Sequence, residues 1–98
     1  MNMQALMKQA QNLQKDMLKV QEEIEKTTFE GESSLVKVKV NGNKDVLSIT
    51  IDRNTQLEKE DLEILEDMLV VALNNAYKKV DNFKEQKMSR FGNIPGLF

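Results

Sequence analysis

Apolar residues in the first quarter of the chain recur at alternating intervals of three and four positions. The series consists of Met3, Leu6, Ala10, Leu13, Met17, Val20 and Ile24. This spacing is a heptad seam, and no proline or glycine interrupts it before Thr27. The pattern predicts a helix from about residue 2 to 26 whose apolar stripe packs against another helix. An ordinary buried amphipathic helix explains the same stripe, so both interpretations stay open.

The middle of the chain changes to a period of two, which is typical of half-buried strands. Strands are predicted at 35–41 and 46–52, joined by the turn residues Asn41 and Gly42. The residues expected to face inward are Val36, Val38, Val40, Leu47, Ile49 and Ile51. The segment TTFEGE, 27–32, is rich in β-branched and aromatic residues and is predicted as an additional edge strand. The result is a small antiparallel sheet of two to three strands.

A second long helix is predicted from about 58 to 90, because acidic residues crowd its first turns and complement the positive end of the helix dipole. One apolar stripe consists of Leu62, Leu65, Leu69, Leu73, Ala76, Val80 and Phe83. A second stripe, on a neighbouring face, consists of Ile64, Met68 and Val71. Two stripes suggest two neighbours, of which one is another copy of the chain. Phe91-Gly92 is a plausible stop, and 91–98 is expected to be a flexible tail.

Together these elements predict one α+β domain spanning 1–98, with a long helix at each end of a small sheet. A strand of six residues spans roughly 20 Å, whereas the helices should run about 37 Å and nearly 50 Å. Both helices must therefore overhang the sheet. If they pair antiparallel, the overhanging ends, near 2–12 and 78–90, meet at one distal tip that the heptad seam holds together.

Charge is distributed unevenly, although the net charge of -2 and the pI near 5.2 give no overall signature of a nucleic-acid binder. In 1–19, three lysines against one aspartate leave two positive charges, and in 78–90 five basic residues against two acidic ones leave three. In 52–67, seven acidic residues against two basic ones leave five negative charges. A basic tip that contacts phosphates is one explanation. Stabilisation of the helix dipole by acids at its start and bases at its end is the other.

The sequence offers no candidates for the usual catalytic general bases and nucleophiles or for a phosphate cradle. The chain has no histidine, cysteine or tryptophan, and it contains no GxGxxG, P-loop or GxSxG motif. We therefore expect no enzyme activity, cofactor, metal or small-molecule substrate. No segment approaches the roughly 20 apolar residues of a membrane span, and no signal peptide is evident, so a cytoplasmic protein is expected.

Four segments of the sequence resemble the YbaB/EbfC family of bacterial nucleoid-associated proteins. The segments are MKQAQNLQKDMLKVQEEI (7–24), VKVKVNGNKDVLSITID (36–52), the LED run continuing through LNNAYKKVDNFKEQKM (65–88), and PGLF at the end. They cover most of the chain in the family's order. The resemblance implies a helix, sheet, helix protomer that forms a tweezer-shaped homodimer and binds duplex DNA in the nucleoid through its helix arms.

Basic residues at the predicted tip form the candidate DNA-binding site. The resemblance points to Lys8, Lys19, Lys78, Lys79 and Lys87. The charge distribution alone adds Lys15, Lys84 and Arg90. The chain departs from the family in two places: only five residues precede Leu6, and Arg53 replaces a common proline after the last strand. The short lead puts in doubt DNA contacts made by a flexible N-terminal extension.

The functional expectation is a homodimer that binds duplex DNA by shape and charge, with weak sequence preference. No recognition helix with Arg, Asn and Gln at base-reading spacing is evident. One alternative is a helical-hairpin interaction module or holdase that binds polypeptide through an apolar tip of Met3, Met7, Met88 and Phe91. Another is a regulatory adaptor that binds a protein through the acidic 58–67 surface.

Overall fold

The computed structural model describes residues 2–91. Helix α1 spans Met3–Lys26, and the side chain of Asn2 caps its start by accepting hydrogen bonds from the backbone N–H groups of Gln4 and Ala5. The helix ends at Thr27, whose backbone is extended (φ -75°, ψ 139°) and whose hydroxyl donates to the carbonyl of Glu23 at 2.6 Å. The chain therefore enters the sheet directly from the helix.

Three strands follow, β1 (Thr28–Ser33), β2 (Val36–Asn41) and β3 (Val46–Ile51), and they form an antiparallel sheet in the order β1-β2-β3. The turn between β2 and β3 is built by Asn41, whose side-chain oxygen accepts from the backbone N–H groups of Asn43 and Asp45. This arrangement also brings Lys44 into a left-handed conformation with φ 64°.

A short 3-10 turn, Lys59–Asp61, leads into helix α2 (Leu62–Met88), which ends in a second 3-10 turn, Ser89–Phe91. The backbone N–H of Glu58 donates to the carboxylate of Asp61 at 2.9 Å and so stabilises the start of α2. The helix packs against β1 and β2, and Gly31 permits this close contact. A Cβ at Gly31 would overlap the backbone carbonyl of Ala72 on α2.

The core lies between α2 and the first two strands. Its buried residues are Phe29, Val36, Val38, Val40, Ala72, Ala76 and Val80. Phe83 extends this core by packing edge-to-face against Phe29, with ring centroids 5.3 Å apart. The predicted α+β fold, with two long helices and a small antiparallel sheet, is confirmed, and the sheet has three strands.

The prediction that β3 faces inward is wrong within a single chain. Ile49 lies directly opposite Val38 and Ile51 opposite Val36, so these isoleucines share the sheet face on which α2 packs. Helix α2 covers β1 and β2 but does not extend over β3. The apolar side chains of β3 consequently remain between 36% and 54% exposed. Leu47 is among them.

The predicted pairing of the helices at one distal tip is also wrong. Val20 and Ile24, in the last third of α1, pack with Phe83, Met88 and Phe91 at the end of α2. The rest of α1 runs on past this junction without a partner among residues 2–91. The two helices overlap only there, so the described chain is elongated, with extents of 72 × 19 × 15 Å. The tail expected at 91–98 lies outside the described residues except for Phe91.

Candidate nucleic-acid interface

The first part of α1, residues 3–19, forms a projecting arm that ends where Val20 packs at the junction with α2. Every side chain from Met3 to Asp16 is exposed. Lys8 and Lys15 are seven residues apart, which places them on the same side of the helix about 10 Å from each other along its axis. Lys19 follows one turn after Lys15 and is also exposed. Lys8, Lys15 and Lys19, the arm lysines, therefore form one basic stripe.

The remaining candidate residues lie on α2 and at its end. Lys78 and Lys79 are exposed in the part of α2 that covers the sheet, and Lys84 is half-buried. Lys87 is held by Glu23 of α1, with an N–O distance of 3.1 Å, and its ammonium lies 5.4 Å from the centre of the Phe83 ring. The guanidinium of Arg90 lies 4.6 Å from the centre of the Phe91 ring.

The arm lysines differ from several other lysines in having no carboxylate partner among residues 2–91. Lys37 and Lys39 form ion pairs with Glu32 and Glu30 on the open face of the sheet. Lys87 has the Glu23 partner described above. Asp16 lies on the same stretch, so three lysines against one carboxylate leave two net positive charges, and such charge attracts a polyanion by long-range electrostatics.

The structure does not bring all candidate residues to one tip. Because Lys87 contacts Glu23, and Lys8 lies fifteen residues before Glu23 on a continuous helix, Lys8 and Lys87 are about 22 Å apart along the axis of α1. Lys19 lies only one turn from Glu23, close to Lys87. The basic residues therefore follow the long axis of the molecule, from the middle of α2 through the junction and out along the arm.

Acidic residues occupy the other end of this axis. The segment 52–67, with its five net negative charges, precedes and begins α2, whereas the arm begins at the far end of α1. Because the helices overlap only at the junction, the acidic segment and the arm lie at opposite ends of the 72 Å length. A polyanion is consequently attracted to one end and repelled from the other.

One contact near the basic residues of α2 was not foreseen from the sequence. Lys44, in the turn after β2, forms an ion pair with Asp81 at 3.0 Å and lies 5.6 Å from the centre of the Tyr77 ring. The hydroxyl of Tyr77 donates to the backbone carbonyl of Lys44 at 3.3 Å. Lys44 therefore partly neutralises an acidic residue beside Lys78. Its separation of 37 positions from Asp81 left no sequence signal for this pair.

The apolar tip of the alternative function is divided by the structure. Met3 and Met7 are exposed on the arm, but Met88 is buried at the junction and Phe91 packs beside it. The four side chains do not form one continuous surface. An adaptable surface for polypeptide is thus reduced to the methionines of the arm and their neighbours.

Within residues 2–91, no cluster of acidic side chains has the arrangement of a metal site. None of the helices described is both long and apolar enough to cross a membrane. What the arrangement offers chemically is a row of ammonium and guanidinium groups on helical supports. Such groups bind phosphate oxygens by charge and hydrogen bonding.

Comparisons with other proteins agree with the resemblance in the sequence. The chain is 44% identical to a nucleoid-associated protein of Pelotomaculum thermopropionicum, over 99% of this chain and 96% of that protein. It is 41% identical to a nucleoid-associated protein of Chloroflexus aurantiacus over the full length of both. The crystal structure of an uncharacterized Helicobacter pylori protein superposes with a TM-score of 0.71 at 26% identity, covering 94% of this chain and 99% of that one. The profile of the YbaB/EbfC DNA-binding family matches residues 1–93, and this chain therefore belongs to that family.

Proposed function

We propose that this protein is a nucleoid-associated protein that binds duplex DNA with weak sequence preference, as a homodimer, through its basic helical arms. The names of its relatives support the cellular role. The observation that carries the DNA-binding surface is the projecting arm, on which Lys8, Lys15 and Lys19 form an exposed stripe without carboxylate partners among the described residues.

Phosphate contacts provide most of the affinity in this mechanism. Each neutralised phosphate releases condensed counterions, so binding weakens steeply as salt rises. Lysine contacts to phosphates carry no sequence information directly, which is the reason to expect weak preference. The basic residues of α2, namely Lys78, Lys79, Lys84, Lys87 and Arg90, extend the contact toward the body of the protein. Lys87 contributes less than the arm lysines because Glu23 already holds it.

The uncovered face of β3 supports the homodimer. Ile49 and Ile51 lie exposed on the face that α2 covers elsewhere, and Ile64 and Val71 of α2 are also exposed. A shallow apolar depression formed by Leu35, Leu57, Ile64, Leu65 and Met68 lies at the start of α2. Exposed apolar surface of this kind marks an interaction site in a soluble protein. A second copy that packs on β3 buries it and gives the assembly two arms.

Sedimentation of an Ile49→Glu variant tests this dimer. We expect the variant to sediment as a monomer at concentrations where the unaltered protein is dimeric, because a charge would be buried at the interface. Ser48→Glu is the matched control, since Ser48 lies opposite Lys39 on the polar face of the sheet. A dimer that survives Ile49→Glu would place the interface elsewhere.

A salt-dependent titration with duplex DNA tests the DNA-binding surface. If the dimer neutralises about four to six phosphates, the log-log salt slope should be roughly -4 to -5. A triple change of Lys8, Lys15 and Lys19 to alanine should weaken binding. It should also reduce the magnitude of the slope by about 0.9 for each phosphate that the variant no longer neutralises.

Two further triple variants locate the surface. Changing Lys37, Lys39 and Lys59 to alanine removes the same net charge from ion-paired or acidic surroundings, and we expect little loss of affinity. Changing Lys78, Lys79 and Lys87 tests the contribution of α2. If this control triple variant loses as much DNA affinity as the triple variant of the arm lysines, only the net charge matters. That result would refute the arm as the binding surface. Apolar binding of polypeptide, the alternative function, would persist at high salt.

A further inference from the structure

Among residues 2–91, the apolar seam of α1 is covered at one end only. Val20 and Ile24 are 7% and 4% exposed because they pack against Met88 and its neighbours on α2. Leu6 and Leu13 belong to the same stripe but are 46% and 43% exposed. The seam thus continues as a helix-packing surface for about 20 Å beyond the end of its partner helix.

The arm lysines lie away from this seam. In the heptad that contains Leu6 and Leu13 at d, Lys8 and Lys15 occupy f, the position farthest from the apolar stripe. The positions that flank the stripe over the arm, e and g, are mostly uncharged. They hold Met7, Gln9, Gln14 and Asp16. A protein partner on the seam therefore leaves the basic stripe accessible on the opposite side.

We propose that the arm of a second copy of this chain covers the seam, with the two helices antiparallel. In the register that keeps a residues facing d residues, Leu6 of each arm packs against Met17 of the other, and the small Ala10 packs against Leu13. This contact is separate from the β3 face, and it links one molecule to another through the outer ends of their arms.

Three features favour a second copy as the occupant. The stripe repeats at the spacing of a helix partner, and it is continuous with the helix-helix contact already formed at Val20. The flanking charges also suit self-pairing, because the antiparallel register sets Asp16 beside Gln9 of the other arm and brings no like charges together. Finally, an antiparallel pair of identical helices is related by a twofold axis, so the same apolar surface is buried on both arms.

The size of the seam indicates a weak contact. A stable interface buries about 1,600 Å² in total. The uncovered seam has only five apolar residues on a single helix, so the area that it can bury is much smaller. Arm pairing therefore adds to another association and does not replace it. Molecules that are held close together gain from it through effective concentration.

Disulfide trapping tests the proposal directly because the natural chain contains no cysteine. In the proposed register, Met7 of one arm lies beside Gln14 of the other. Separately purified Met7→Cys and Gln14→Cys proteins are mixed and exposed to a mild oxidant, and a denaturing gel with distinguishable tags reports the mixed covalent dimer. We expect this mixed product to exceed, by at least several-fold, the product that either variant forms alone.

The control pair is Lys8→Cys mixed with Lys15→Cys, which has the same separation of seven residues on the opposite side of the helix. A mixed product from this pair equal to that from Met7 and Gln14 would mean random collision and would overturn the proposal. Strong products from each variant alone would overturn the antiparallel register. Mixed product that forms only after residues 92–98 are removed would show that the chain itself occupies the seam, and would also overturn it.

These measurements use protein without DNA, so they do not depend on the proposed function. Failure of DNA binding would leave the trapping result unaffected. Conversely, a protein that binds DNA but gives no mixed product retains the proposed function and loses only the arm contact. A supporting variant is Leu6→Glu with Leu13→Glu, exposed substitutions that should abolish the mixed product while the helical content stays unchanged.

Discussion

Strands β2 and β3 carry the same alternation of apolar and polar residues but differ in burial. Val38 of β2 is 0% exposed, whereas Ile49, its direct neighbour on β3, is 47% exposed on the same face of the sheet. The difference arises because α2 reaches only the first two strands. Alternation therefore identifies the face of the sheet on which an apolar side chain lies. Whether that side chain is buried depends on how far the packing helix, here α2, extends across the sheet.

Helix α1 repeats this contrast along one stripe. Ile24 is buried and Leu6 is exposed, although both belong to the same heptad seam. In both cases the uncovered residues are continuous with a packed region and have the composition of an interface. Contiguous exposed apolar surface of this kind marks a site of interaction. We propose that the β3 surface forms the homodimer interface and that the arm seam forms a contact between arms.

The backbone of α2 lies in very close contact with Gly31 of β1, and we expect disruption of this contact to have the largest effect on stability. In a Gly31→Ala variant the new Cβ overlaps the carbonyl oxygen of Ala72 and forces α2 away from β1. We expect the free energy of unfolding to fall by about 3 kcal/mol, the upper part of the usual range for overpacking. Urea denaturation followed by circular dichroism measures this loss.

Gly42→Ala is the matched variant for this experiment. Its Cβ would overlap the carbonyl oxygen of Ile24, at the end of α1. Because α1 packs little against the body of the protein, we expect a smaller loss of stability that loosens only the base of the arm. A loss from Gly42→Ala as large as that from Gly31→Ala would show that α1 belongs to the same cooperative unit as the core.

Sequence periodicity was sufficient to predict the elements themselves. The observed α1, Met3–Lys26, differs from the predicted helix by one residue at its start. The additional edge strand predicted at 27–32 is β1, Thr28–Ser33, which is shifted by one residue. Helix α2 begins at Leu62 and not near 58, because a 3-10 turn occupies 59–61. Local patterns determine these bounds, since capping and periodicity act over a few neighbouring residues.

The relative placement of the elements was not predictable in the same way. The offset between α1 and α2 depends on tertiary contacts such as Val20 with Met88, and on the close approach of Gly42 to Ile24. No spacing in the sequence encodes that offset. The basic residues were identified by charge and by resemblance, but their distribution along the long axis, rather than at one tip, follows from the offset.

The comparison between β2 and β3 can be sharpened with one substitution in each strand. Val38→Ala leaves a cavity in the fully buried core, and we expect a loss of about 2 to 3 kcal/mol in the free energy of unfolding. The loss should be the same at every protein concentration, because α2 of the same chain covers Val38. Urea denaturation at several protein concentrations measures it.

Ile49→Ala is the counterpart on β3 and should have the smaller effect in dilute protein. Because Ile49 is nearly half exposed in one chain, we expect a loss below about 1 kcal/mol when the protein is too dilute to associate. The loss should grow with concentration, since dissociation of the proposed dimer would then accompany unfolding of the unaltered protein. The contrary outcome is that Ile49→Ala lowers the free energy of unfolding as much as Val38→Ala does in dilute protein. In that case some part of the same chain must cover β3, and the contrast between the two strands would disappear.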